Sequence, residues 1–173
     1  MNAAWLHLVL SHAPIFGCLA AAPMLILAEI RDSDLLRKLA CWYVLAAAAA
    51  ACGAYFTGPA AIESIFGPDQ SGGDLVLQHA LLGRIAFVGM ILLGAAAGIA
   101  LLQYVQDGRC AKWLRWTLIL LVIAHIALLA ATAHMGGKIR RPPPPPEVAH
   151  VETAPPDVHA GIAPTPVPAT SSR

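Results

Sequence analysis

Charge is what this chain has least of. Asp, Glu, Lys and Arg make up only 12% of its 173 residues, against 58% hydrophobic. A soluble helical protein of this size needs polar outer faces on amphipathic helices, and the composition argues against that class. The formal charge of +1 lacks the basic excess that a nucleic-acid partner would call for, so no nucleic-acid role is expected. Aromatics amount to 6%, and Trp5, Trp42, Trp113 and Trp116 stand near segment ends, where interface anchors belong. The four cysteines, Cys18, Cys41, Cys52 and Cys110, form no CxxC or CxxCH. That spacing argues against a covalently attached c-type haem and a thioredoxin-like site. Three of them lie inside apolar runs and read as small buried hydrophobes. The N-terminus has no positive n-region, and its apolar run is too long for an h-region, so a retained helix is expected there and not a cleaved signal.

What the chain does have is apolar runs reaching the roughly 20 residues that a spanning helix needs. The expected fold is an all-α integral membrane protein, a four-helix up-and-down transmembrane bundle with helices over about 4–30, 36–56, 75–106 and 111–134. These form one domain, 1–141. Pro14 and Pro23 interrupt the first helix as kinks. The second carries an alanine run, Ala46 to Ala51, that would let other backbones or a flat cofactor come close. Thr57-Gly58-Pro59 is expected to end it, and Asp74 to cap the third. The fourth should stop at Gly136-Gly137. From Pro142 the composition turns to proline, alanine, threonine and valine, which favours an extended extramembrane tail over 142–173, with reach toward a partner.

Arg31, Arg37, Lys38, Arg109, Lys112 and Arg115 flank one side of the bundle. Lys138, Arg140 and Arg141 lie on the other, a six-to-three bias that puts both chain ends outside, toward the periplasm of a bacterial inner membrane. In that topology His7, His12, His79 and His134 gather in the outer half, while His125 lies near mid-membrane and reads as a core residue. At 100° per residue His79 shares a face with Gly83, Ala86, Met90, Gly94 and Ala97, so the wall below it is small. Ionisable residues at membrane depth are costly and mark functional sites. Imidazole is the commonest metal ligand, and facing side chains on antiparallel helices build haem and metal sites. Helix caps bonded to one another are the plainer reading. Arg84, about one and a half turns inward of His79, is expected to snorkel outward or to pair with an acid, either a haem propionate or Glu63 or Asp74.

The His7-x4-His12-x-Pro14 opening, Thr57-Gly58, His79 and the ending Ala133-His134-Met135-Gly136-Gly137 resemble a bacterial family of four-helix membrane proteins of unknown function, described as haem-binding and cytochrome-like. The resemblance covers about residues 4–141. That family's opening has a proline directly after the first histidine, where this chain has Leu8. The resemblance implies a bis-histidine haem b without saying which histidines bind. The expectation is then an electron-transfer subunit of a larger redox complex, relaying electrons between quinol or a partner redox subunit and an outer acceptor or periplasmic carrier. Its haem, one or two, would take His12 and His79 as one axial pair, with His7 and His134 as a second pair or the supporting shell. A non-redox membrane anchor or assembly subunit, and a copper site of imidazoles with Met135 nearby, are the alternatives.

Overall fold

The computed structural model describes residues 2–67 and 73–139. The proline-rich tail expected over 142–173 lies outside the described residues. Four helices make up the fold: α1 (Ala3–Arg31), α2 (Asp34–Phe66), α3 (Gly73–Gln106) and α4 (Lys112–Ile139). Each is long and apolar enough to cross a membrane. Their outward faces carry Phe16, Trp42, Phe56, Leu92 and Leu120, all well exposed, as helices do when their surroundings are apolar.

The turns explain the order. Asn2 accepts a bond from the Ala4 N–H and opens α1, while Asp32, left-handed at φ 47°, closes it by donating its N–H to the Ala28 carbonyl. Ser33 then caps α2. Asp107, Gly108 (φ +69°) and Arg109 reverse the chain between α3 and α4, and the Gln103 side chain accepts from the Ala111 N–H at 2.9 Å. Short turns make neighbours antiparallel. Around the bundle α1 packs on α2 and α4, and α3 packs on the same two, so α1 and α3 are diagonal.

Boundaries differ from the sequence expectation in three places. Helix α2 runs through Pro59 to Phe66, ten residues past Phe56. Pro59 removes one backbone bond and crowds the turn before it, a cost that helices packed among apolar neighbours tolerate, while the Thr57 hydroxyl donates to the Gly53 and Ala54 carbonyls (2.8 and 3.1 Å) in that turn. The end comes at Gly67, whose φ of +86° suits glycine and whose N–H reaches the Glu63 carbonyl at 2.9 Å. Helix α4 continues through Gly136-Gly137, since an interior glycine costs only about 1 kcal/mol. Asp74 sits in the first turn of α3, where an acid suits the positive helix end, instead of capping it.

The buried stripes alternate in steps of three and four. On α1 the stripe is His7, Ser11, Pro14, Cys18, Ala21, Leu25 and Ala28; on α3 it is Val76, His79, Gly83, Ala86, Met90, Leu93, Ala97, Ala100 and Tyr104. That heptad spacing is the seam of helices packed nearly parallel with a slight left-handed twist. The alanine run of α2 sets the spacing. A Cβ on Gly17 would lie 2.8 Å from the Ala47 Cβ, and one on Gly94 2.8 Å from the Ala48 Cβ, so α1 and α3 both close onto α2 through hydrogen atoms alone.

At the end where α2 and α4 begin, Arg37 is buried and bonded to three carboxylates: Glu29 at 2.9 Å, Asp32 at 2.8 Å and Asp34 at 2.7 Å. It also donates to the Ala28 carbonyl at 3.0 Å, which ties α1 to α2. Arg115 of α4 approaches Glu29 and Asp32 at 3.6 and 3.9 Å. Asp32 and Asp34 reach solvent, but Glu29 is largely buried and loses its closest partner when Arg37 is removed. Arg37→Met should therefore cost about 1–3 kcal/mol, read as a drop in thermal midpoint in detergent, and Arg115→Met clearly less. The Arg37 side chain holds the Asp32 carboxyl below the usual carboxylate range. A depressed acid stabilises above its unfolded pKa, so Asp32's contribution is complete at neutral pH and is lost only as pH falls below about 4.

Candidate functional site

At the opposite end the two seam histidines, His7 on α1 and His79 on α3, each enter the bundle half-buried. His7 Nδ1 lies 2.8 Å from the Ala54 carbonyl of α2 and 3.3 Å from the Thr57 hydroxyl. His79 Nδ1 lies 3.1 Å from the Thr132 carbonyl of α4. A carbonyl only accepts, so Nδ1 carries the proton in both rings and each Nε2 keeps its lone pair. The surroundings repeat as well. In each case the neighbouring helix supplies the carbonyl, a threonine whose hydroxyl bonds back four residues (Thr57 to Gly53, Thr132 to Leu128) and a glycine against the ring. That glycine is Gly58 beside His7 and Gly136 beside His79.

The other two outer histidines stay off the seam. His12 follows His7 by five positions, about 140° around the helix, and its exposed ring bonds its own helix, Nδ1 to the Leu8 carbonyl at 2.7 Å. His134 is exposed on the small face that it shares with Ala127, Ala130 and Ala131. The structure thus puts His7 and His79 at seam positions of diagonal helices at one end of the bundle, whereas His12 turns away from the seam. Arg84 is exposed, and no ion pair joins it to Glu63 or Asp74 among the described residues. Beside Gly83, one turn from His79, a Cβ would meet open space. Both seam imidazoles thus present an Nε2 that bonds no protein group among the described residues.

His125, read from the sequence as a core residue, is indeed buried, but its Nε2 has no hydrogen-bond partner among the described residues. No three His, Cys, Asp or Glu side chains converge as a metal cage among the described residues. The supporting role of Thr57, Thr132, Gly58 and Gly136 went unread in the sequence. Its only trace there is that a Thr stands three residues from one acceptor, Ala54, and is itself the other. No family model, curated protein or solved structure matches the chain, so the family likeness rests on its short motifs.

The glycines make the site testable without any ligand. A Cβ on Gly136 would lie 3.0 Å from His79 Cε1 and 3.4 Å from Nδ1, whereas one on Gly58 would stand 3.6 Å from His7 Cε1, ordinary contact. Gly136→Ala should displace the His79 ring and shift its nitrogen NMR resonances, while Gly58→Ala leaves those of His7 in place.

Proposed function

We propose that this chain is a membrane electron-transfer subunit that holds one haem b between His7 and His79. The observation that carries the reading is the pair of diagonal imidazoles, each donating Nδ1–H to a main-chain carbonyl of the neighbouring helix. Such an outer bond is what axial and metal-bound histidines use to fix their tautomer and raise their basicity. The haem would supply one-electron redox chemistry. The protein's part is to fix both Nε2 atoms, exclude water with apolar walls and set the potential through burial and nearby charge. His7, which depth along the helix already favoured, takes the place that the family motif gave to His12, because a ligand must face the seam. His12 and His134, exposed at the same end, are free to meet a partner redox subunit, and Arg84 is the cation for a propionate. Quinol or that partner subunit is the donor and a periplasmic carrier the acceptor.

The same bonds also favour a second reading, a non-redox anchor whose histidines only tie α1 to α2 and α3 to α4. A visible spectrum of the purified or haem-reconstituted protein separates the two. The electron-transfer reading expects low-spin Soret and alpha bands, lost in His7→Ala and His79→Ala and kept in His12→Ala and His134→Ala. Arg84→Gln should lower the midpoint potential, since the lost positive charge no longer favours the reduced state. Full haem content in both His7→Ala and His79→Ala would refute the ligand pair, and an absence of bound haem would leave the anchor.

In this reading the arginine-rich end faces the cytoplasm of a bacterial inner membrane and the histidine end the periplasm, a reading that the charge bias supports. Cys110 is buried and unsuited to labelling. A cysteine introduced by Arg109→Cys, at an exposed turn position, should react with an impermeant maleimide only after cells are lysed.

A further inference from the structure

Midway along the bundle three soft donors occupy seam positions on three different helices: Cys18 on α1, Met90 on α3 and His125 on α4. Counted at about 1.5 Å per residue from the histidine end, they lie about 22, 26 and 21 Å along their helices, one common level well beyond His7 and His79. Cys18 and Met90 are completely buried and His125 is 6% exposed. The fourth helix brings only Ala47, Ala48 and Ala51 to this level, which leaves the centre to the other three.

Three details mark this level as more than packing. The Cys18 Sγ and Met90 Sδ atoms are 3.9 Å apart. Two sulfurs bound to one metal at about 2.3 Å each, 120° apart, would be separated by about 4.0 Å. His125 Nε2 is buried with no partner among the described residues, at a depth where an unmet polar atom is expensive. The imidazole also rests on Gly89, the neighbour of Met90, where a Cβ would come within 3.0 Å of Cε1 and 3.2 Å of Nδ1. Glycine at 89 leaves room for the ring against α3, one position from Met90.

We infer that Cys18, Met90 and His125 form a trigonal site for a monovalent soft metal ion, Cu(I). Thiolate and thioether sulfur with imidazole nitrogen is a donor set that selects Cu(I) over harder ions. Binding replaces the Cys18 S–H bond with an S–Cu bond and releases that proton to solvent, while His125 Nε2 and Met90 Sδ each donate a lone pair. Cu(I) with one thiolate and two neutral donors carries no net charge, which suits mid-span. A divalent ion would leave a positive charge in an apolar interior. The site shares no residue with the haem reading and stands or falls separately from it.

The test is an anaerobic titration of the full chain in detergent with Cu(I) against a colorimetric Cu(I) chelator, followed by X-ray absorption at the copper edge. The expected result is one Cu(I) per chain in a shell of two sulfurs and one nitrogen. Met90→Leu, which conserves volume and so keeps the fold, and Cys18→Ala should each weaken binding at least tenfold. Gly89→Ala should weaken it by displacing His125. Failure of the wild-type chain to hold Cu(I) against the chelator, or binding as tight in Met90→Leu and Cys18→Ala as in wild type, would overturn the proposal.

Discussion

A polar side chain inside an apolar helix bundle has no water to bond, so it must take its partner from a neighbouring helix. That constraint organises both ends of this protein. The histidine end is held where His7 and His79 reach the backbones of α2 and α4. At the charged end Arg37 reaches back to the Ala28 carbonyl and to acids on α1 and the turn. Each bond crosses from one helix to the next, so satisfying the side chain and fixing helix register are a single event. Among the described residues His125 Nε2 is left without a partner, as are Tyr104 Oη and Arg115 Nε toward the charged end, and of the three only His125 lies midway along the bundle.

Between the two ends, packing is a matter of atoms left out. Gly17 and Gly94 remove the Cβ atoms that would strike Ala47 and Ala48, and α2 becomes a flat wall on which both diagonal helices settle. Close approach at that level contrasts with the open space beside Gly83 nearer the histidines.

The existence and number of helices were legible because apolar runs of membrane length admit no other reading, and the diagonal placement of α1 and α3 follows from short turns. Helix ends were less legible. Thr57-Gly58-Pro59 and Gly136-Gly137 carry the local signs of a stop, yet a helix within an apolar bundle continues through them because leaving its backbone unbonded costs more than keeping a proline or glycine. The histidines were harder still. Sequence placed four of them at one end, but which ones turn inward depends on the phase of the seam, and that phase is set by small residues lower down, Cys18 and Ala21 on α1, Ala86 and Met90 on α3. His7 keeps step with them and His12 does not. The backing carbonyls could not be read at all, since a main-chain acceptor has no residue type.

The matching surroundings of His7 and His79 imply a symmetry. Moving 72 positions along the chain carries His7 to His79, Pro14 to Ala86, Cys18 to Met90 and Ala28 to Ala100. An offset of 78 carries Arg37 to Arg115, Ala54 to Thr132 and Gly58 to Gly136. The symmetry is one of register: seam positions of α1 recur on α3, and positions of α2 recur on α4, at nearly constant offsets. A donor placed on the seam of the first hairpin therefore has a seam position waiting for it on the second, which is how one spacing can supply two histidines at one end. His125 has Ala47 as its counterpart, so the imidazole midway along α4 has no polar match on α2.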